Sequence, residues 1–395
     1  MLTALLINLA VDTYIYLQAR RRCRNIVWSK IQLYSAIACA AAMIVEICLP
    51  AKRGGDQQLL CKMWLLFAYL SIYIPKYLAV LSDFVSFLPK LWGGKHLKCI
   101  TYFGIITALA TFAGMWWGAL INRFNIDVNK VDVRINSLPE PFNGMRIVQF
   151  SDLHTGTFGT DTTFVAHLVD EINRLNPDLI VFTGDIVNRR SEEMAPFVET
   201  LGRLKAPMGV YAILGNHDYG DYNHWGSEAE KARNMQKLFS LYEKTGMKLL
   251  LNRTQWLHAG NDSIALVGVE NIGDPPFKTY GSLTGAYPTP GDSCTKILLS
   301  HNPQHWVDSI CGKPEMNVAL TLAGHTHAMQ IEAMGMSPAT FRYPTWGGLY
   351  ADSQNRSQLY VNIGAGTVGL PMRLGATPEI TLLTLLSDTD NSHEK

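Results

Sequence analysis

The chain has 395 residues, enough for more than one structural unit, with 48% hydrophobic and only 17% charged residues. That balance is apolar for a soluble enzyme, and a formal net charge of +1 gives no electrostatic basis for a nucleic-acid partner. None of the seven cysteines forms a CxxC pair, which argues against thiolate zinc sites.

The apolar excess lies before about residue 122. Four apolar stretches stand there, Leu2–Leu17, Ile31–Leu49, Met63–Leu88 and Ile100–Ile121, near or above the roughly 20 residues that cross a bilayer as a helix. The first is short and carries Asn8 and Asp12. Its basic residues, Arg20, Arg21, Arg22 and Arg24, follow the apolar run, so it reads as a retained span and not as a signal peptide. Lys30 joins those arginines in the first loop, and Lys90, Lys95 and Lys98 mark the third. In the second loop Lys52, Arg53 and Lys62 are set against Asp56. Placing the first and third loops inside puts everything after Ile121 on the non-cytoplasmic side. This requires Met63–Leu88 to cross once, with Pro75-Lys76 in its middle. Glu46 and Asp83, inside the apolar stretches, are expected to pack helices or to sit at the interface, with a functional role as the alternative.

Residues 122–144 read as a linker and lead-in segment, in which Val131–Ile135 alternates like a short strand and Leu138–Gly144 is rich in turn formers. So short a connection keeps the next domain, residues 145–386, near the membrane surface. A polar tail, residues 387–395, closes the chain.

From Met145 the pattern changes to short apolar runs, each leading into polar residues. Met145–Phe150 leads into Asp152 and His154, Leu179–Phe182 into Gly184-Asp185, and Val210–Leu214 into Gly215-Asn216-His217-Asp218. Ile297–Leu299 leads into Ser300-His301, and Val318–Leu322 into Gly324-His325-Thr326-His327. Runs of this length bounded by glycine and polar residues read as buried strands. Asp161–Asn176, apolar at helical spacing and stopped by Pro177, completes a βαβ unit. Ser263–Val269, Leu359–Ile363 and Glu379–Leu383 add further strands. The expected architecture is a helical membrane anchor followed by an α/β domain with more than one sheet, its ligands beyond the carboxyl ends of strands.

Carboxylate and imidazole ligands suit divalent ions of the manganese, iron and zinc group. A dinuclear hydrolase needs one carboxylate between two ions, with further ligands completing each. The glycines before Asp185, Asn216 and His325 are expected to permit tight turns that aim the side chains at one point. Singly, an Asp-x-His or a Gly-His-Thr-His is explained by a turn or a cap. Five such motifs in order, each at a strand end, are not.

This order resembles the calcineurin-like metallophosphoesterase superfamily over Met145 to about Leu386, and more closely its membrane-tethered members. Leu138-Pro139, Gly348-Leu349-Tyr350 and Gly366–Arg373 resemble further marks of that subgroup. The resemblance implies a sandwich of two mixed sheets flanked by helices (α/β/β/α). It implies two divalent metal ions (Mn, Zn, Fe or Mg), with Asp152, His154 and His327 on the first, Asn216, His301 and His325 on the second, and Asp185 bridging. His217 would bind the phosphate and protonate the leaving oxygen, and Asp218 would orient its imidazole. The reaction implied is attack of metal-bound hydroxide on phosphorus, with no phosphoenzyme.

The expected function is that of a membrane-anchored phosphohydrolase whose partners are the bilayer and a phosphodiester or pyrophosphate, such as a lipid headgroup. Related enzymes act on UDP-diacylglucosamine, met from the cytoplasmic side, and the topology above counts against that substrate. The alternatives are a phosphomonoesterase or phosphoprotein phosphatase, and a scaffold without turnover. No ligand position is vacant, which disfavours the scaffold. His305 reads as a polar loop histidine, and His224-Trp225 as a candidate lining of the cleft. Arg373 is a candidate phosphate contact. The aromatic segment Phe341–Tyr350 either packs as a loop, holds an apolar chain and a phosphate, or dips into the membrane interface. Cys294 and Cys311 form a disulfide or remain free thiols, according to the compartment.

Overall fold

The computed structural model describes residues 2–22, 26–48, 55–273, 278–287, 289 and 291–387. Cys23, Arg24, Lys52, Arg53 and residues 388–395 of the tail lie outside the described residues, as does the side chain of Glu46. Two compact units make up the chain, residues 1–121 with 369–372 and residues 122–368 with the remainder.

The first unit contains four long helices, α1 (Leu2–Arg22), α2 (Ile26–Cys48), α3 (Asp56–Phe87) and α4 (Lys98–Leu120). Among the described residues three of them, α2, α3 and α4, are long and apolar enough to cross a membrane. The first apolar stretch does form a helix, but it is not one of the three. Its Asn8 and Asp12 are satisfied by α3 and, through Gln32, by α2. Tyr69, Tyr73 and Tyr77 recur every four residues, on one helical face, and Asn8 bonds to Tyr69 and Tyr77. The Asp12 carboxylate accepts from Tyr73 at 2.7 Å, Gln32 at 2.8 Å and Lys76 at 2.7 Å. Pro75 lies inside α3, which nonetheless runs as one helix of 32 residues. Asp83 is buried and accepts from Tyr14 at 2.5 Å and Thr101 at 2.7 Å, the helix-packing role expected of it.

The second unit is built on two six-stranded mixed sheets. One has the order β1 (Asp127–Ile135), β12 (Glu379–Ser387), β2 (Arg146–Phe150), β3 (Leu179–Phe182), β4 (Val210–Ala212), β5 (Lys248–Leu249). The other has the order β10 (Gly348–Ala351), β11 (Gln358–Val361), β9 (Leu320–Ala323), β8 (Lys296–Leu299), β7 (Asp262–Gly268), β6 (Arg253–Ala259). In the segment read as a linker, residues 127–135 form an edge strand paired in parallel with β12 along its whole length.

Every residue of β3 is buried, and its side chains alternate between two cores. Leu179 and Val181 join Ile147, Ile297, Leu299 and Leu322 between the sheets. Ile180 and Phe182 face outward with Val148 and Phe150. A strand covered on both faces reads as an unbroken apolar run, which is why these strands are conspicuous in the sequence. The outer core holds Phe164, Leu168 and Ile172 of α5 (Thr163–Arg174), Leu201 of α6 (Val198–Leu201), and Leu238 and Leu241 of α7 (Glu228–Thr245). Over the second sheet lie the short helices α8 (Leu283–Ala286) and α9 (Gln304–Ser309). The expected α/β/β/α sandwich is what forms. Cys294 and Cys311 are free thiols.

Candidate metal centre and active site

The parallel strands β2, β3 and β4 run side by side in one sheet, and β8 and β9 in the other. The residues just beyond their ends meet. Asp152, His154 and His327 form one group of potential metal ligands, and Asp185, His301 and His325 a second. Within each group one donor atom per residue lies within 4.8 Å of the others.

Contacts inside the groups are short. His154 Nε2 is 3.0 Å from His327 Nε2, and His327 Nε2 is 3.2 Å from Asp152 Oδ1. His301 Nε2 is 3.1 Å from Asn216 Oδ1 and 3.3 Å from His325 Nδ1. Asp185 of the second group also approaches the first: its Oδ2 is 3.7 Å from His154 Nε2 and 3.2 Å from His301 Nε2. Such spacings suit ligands held about 2.1 Å from a common ion.

Five of these residues hold left-handed backbone, Asp152 (φ 52°), His154 (47°), Asp185 (61°), His325 (76°) and His327 (51°). That conformation is costly for a residue with a Cβ and recurs at functional sites. Of the three glycines before ligands, only Gly184, at φ 99°, needs glycine for its backbone angle. A Cβ there would also come within 2.9 Å of His301 Nδ1. At Gly215 a Cβ would strike the Asp185 carboxylate, and at Gly324 it would strike Ser151 and the Asp152 carboxylate. The expected turns form, with Asp218 N–H on the Gly215 carbonyl at 3.2 Å and Thr326 N–H on the Gly324 carbonyl at 2.9 Å, but at these two positions glycine is needed for space and not for its backbone angle.

The donor set fits divalent ions. His301 Nδ1 lies 2.8 Å from the Thr183 carbonyl, which fixes the Nδ1–H tautomer and leaves the Nε2 lone pair facing inward. His325 is oriented the other way round, its Nε2 2.9 Å from the Tyr343 hydroxyl and its Nδ1 inward. The Asn216 amide donates to the Tyr222 hydroxyl at 2.8 Å, which turns its oxygen toward His301. His154 differs, its Nδ1 being buried without a hydrogen-bond partner among the described residues. Burial alone would raise the two carboxyl groups. The charges and hydrogen bonds of His327 beside Asp152, and of His301 with His217 and His154 beside Asp185, hold both below the usual range. Burial and the other imidazoles push His154 down, and His325 down to about 3. Against burial, Asp185 raises His301 to about 9, a place where a cation would stand in for the proton.

His217 donates its backbone N–H to Asp185 Oδ1 at 2.8 Å and stacks on Tyr222 at 4.1 Å between centroids. The role expected of Asp218 is corrected. Its carboxylate accepts four backbone N–H bonds instead, from Gly215 and Asp185 on one oxygen and from Ile186 and Val187 on the other. Both oxygens are thereby committed, and the His217 Nδ1 partner is the Asn188 carbonyl at 2.7 Å. Burial and the Asp185 charge raise Asp218 to about 8, against the pull of the amides.

Arg373 is likewise no phosphate contact. It is fully buried, donating to the carbonyls of Gly366, Ala376 and Ile363, with Nη2 3.3 Å from His327 Nδ1. His305 is buried in α9 against Ser300 and so is not a loop residue. His224 is exposed, and Tyr222, two residues earlier, reaches the site instead. Tyr222 carries no mark in the sequence, and Tyr343 stands out only as part of the aromatic segment Phe341–Tyr350, because nothing in a loop shows which aromatic turns inward. Gly364-Ala365-Gly366, after β11, backs the Asp152 loop through Ala365 N–H to Ser151 O and Gly366 N–H to Asp152 O. A Gly-x-Gly directly after an apolar run was the available signal.

A family model described as "Calcineurin-like phosphoesterase" matches residues 145–329, and one described as "Probable Calcineurin-like phosphoesterase, transmembrane domain" matches residues 1–123. The uncharacterized metallophosphoesterase YkuE of Bacillus subtilis is 31% identical over 294 residues, 72% of this chain and 95% of the relative. The chain belongs to the calcineurin-like phosphoesterase family. It is a metal-dependent phosphoester hydrolase with a transmembrane region. The "Transmembrane protein with metallophosphoesterase domain" of Danio rerio is 30% identical, covering 65% of this chain and 56% of its own; this phosphoesterase therefore spans little more than half of that relative. The "UDP-2,3-diacylglucosamine pyrophosphatase LpxG" of Chlamydia muridarum is 27% identical, over 68% of this chain and 92% of its own.

Proposed function

We propose that this membrane phosphoesterase is a dinuclear hydrolase acting on a phosphodiester or pyrophosphate attached to a lipid, with its catalytic domain on the non-cytoplasmic face. The observation that carries the dinuclear reading is the position of Asp185 Oδ2 between His154 and His301, one from each ligand group.

In this reading Asp152, His154 and His327 would hold one ion, Asn216, His301 and His325 would hold the other, and Asp185 would serve as a ligand within reach of each group. When bound, two such ions activate water and neutralise charge in an in-line displacement at phosphorus. The chain's own groups do the rest. With Nδ1–H committed to Asn188, the other ring nitrogen of His217 is left for a phosphoryl oxygen, or for carrying a proton to the leaving oxygen. Tyr222 holds that imidazole by stacking and the Asn216 amide by its hydroxyl, so phosphate contact and ligand orientation share one support.

Support for a lipid-linked substrate comes from the transmembrane region and from the name of the LpxG relative. Only residues 121–126 lie between α4 and β1, which limits how far the domain travels from the bilayer. The sidedness rests on Arg20, Arg21, Arg22 and Lys30 before α3 and on Lys90, Lys95 and Lys98 after it, with α3 as one continuous helix.

The test is turnover by the full-length protein in vesicles, with Mn²⁺, Zn²⁺ or EDTA, beside Asp185→Asn. A lipid-linked pyrophosphate, bis(p-nitrophenyl) phosphate and p-nitrophenyl phosphate are compared. Metal-dependent cleavage of the lipid substrate, lost in the variant, is expected. Preference for the monoester would move the assignment to a phosphatase. Protease protection of the domain in oriented vesicles tests its side.

A further inference from the structure

The segment directly after ligand His327 inverts the usual rule of burial. At its base small residues are buried: Ala328, Ser337 and Ala339. Ser337 Oγ donates to the Ala328 carbonyl at 2.6 Å and accepts the Ala339 N–H at 3.0 Å. At its tip large apolar side chains stand in the open, with Met334 92% exposed, Phe341 95% and Met336 65%. Between Glu332 and Arg342 no residue carries charge.

Ala333 and Met336 exchange backbone hydrogen bonds of 2.9 and 3.0 Å around Met334-Gly335, both with positive φ. Asn or Gly suits the first position of such a turn, and a methionine there is strained. Met334 thus serves neither the turn nor the core. Isolated exposed apolar residues need no explanation, but three within the charge-free stretch 333–341 mark an interaction surface.

We infer that Ala333–Phe341 dips into the lipid bilayer beside the active site. The bilayer is the favoured occupant for reasons within this chain. Its own membrane-length helices bring a lipid surface, and only residues 121–126 lie between α4 and β1. The tip offers methionine and phenylalanine but no charge or buried polar group for a protein partner to read. Around it stand Arg342, exposed and 5.1 Å over the Tyr343 ring, and the half-buried Trp346 and Tyr350, residue types that settle at headgroup depth. Tyr343 ties this collar to the site through His325. Delivery of a lipid-linked substrate past Tyr343 rests on the function proposed above, whereas contact of the tip with lipid does not.

The experiment uses the full-length protein with its native cysteines replaced, in phosphatidylcholine vesicles. A single environment-sensitive fluorophore is placed at Met334→Cys, at Phe341→Cys or, as a control, at the exposed Glu199→Cys. Labels at 334 and 341 are expected to shift to shorter emission wavelength and to lose intensity with nitroxide-bearing acyl chains, while the label at 199 does neither. Equal solvent exposure at all three sites overturns the inference. So does a blue shift without nitroxide quenching, which would mark a protein contact such as a second copy. In parallel, M334D/F341D should slow cleavage of a vesicle-borne lipid substrate roughly tenfold or more and leave soluble bis(p-nitrophenyl) phosphate unaffected. An equal loss on both substrates would make the tip structural and sink the inference. Nitroxide quenching in a protein that never cleaves lipid would leave the docking tip standing and remove the lipid substrate.

Discussion

The ring of His217 takes its orientation from a main-chain oxygen: its Nδ1 lies 2.7 Å from the carbonyl of Asn188. Asp218, next in sequence, binds the amides of residues 185, 186, 187 and 215. Asp218→Asn would set an NH₂ group against those donors, at a cost of about 1–3 kcal/mol or more. Thermal stability and metal content should therefore fall together, because the Asp185 and Asn216 loops lose their tie. A variant with full stability and metal content but a displaced pH–rate limb would restore the carboxylate–imidazole pairing and refute this one.

Glycines 215 and 324 make room for carboxylates, and that is separable from backbone strain. Gly324→Ala should cost about 1–3 kcal/mol of stability and most of the metal content. Gly144 supplies the contrast, having φ 83° and nothing within 4 Å of an added Cβ. Gly144→Ala should cost about 1 kcal/mol by strain alone and leave metal content intact. Calorimetry with metal analysis of the two proteins decides; equal metal loss in both would refute the steric account.

Tyr222→Phe removes the hydroxyl that turns the Asn216 amide. Affinity for one of two ions should fall roughly 10–100-fold, with the other unchanged, read by stepwise metal titration. A uniform loss at both ions, or none, would show that the amide keeps its orientation unaided.

What was legible in the chain follows from burial. Asp152, Asp185, Asn216, His301 and His325 were visible because each follows a strand covered on both faces, whose apolar run announces its own end. Helix α7 was not recognised, since much of it faces water. Its marks were nevertheless present: Ser227 capping Glu230 N–H, and Gly246 closing it at φ 76°. Of the edge strand 127–135 only Val131–Ile135 shows the alternation of a strand, because an edge strand half open to solvent has no continuous apolar run. The partners of Asp218, Tyr222 and Arg373 were hidden for another reason. Sequence order says which loop a side chain leaves, and not which amide or carbonyl from another strand it meets.

His305 gives the domain a pH dependence of stability. Burial depresses its pKa to about 4 in the folded protein, against roughly 6.5 in the unfolded chain. Between these values the unfolded state binds more protons, so stability rises with pH in that window. The contribution is full above about 6.5 and is lost as pH falls toward 4, to a total of up to about 3 kcal/mol. His305→Gln should show a shallower loss of melting temperature over that range. Parallel curves for the two proteins would refute the assignment.

The Asp12–Lys76 pair makes α1 a member of the helical bundle. Lys76→Met leaves a carboxylate with fewer donors in an apolar setting, at a cost on the order of 3–5 kcal/mol. Asp12→Leu combined with Lys76→Met should recover much of that loss, measured by thermal aggregation in detergent. No recovery would mean that the pair does more than satisfy itself.

Strands β2 to β5, within residues 146–249, all belong to one sheet, and β6 to β11, within residues 253–361, all belong to the other. The proposed ligands divide at the same place. Asp152, His154, Asp185 and Asn216 come from the earlier stretch, and His301, His325 and His327 from the later one. Neither stretch can complete a site by itself. A nascent chain therefore lacks a full proposed ligand set for one ion until residue 325 is made, and for the other until residue 327. Metal capture would then come late in making the protein, and a product cut before these residues would lack part of both proposed ligand sets.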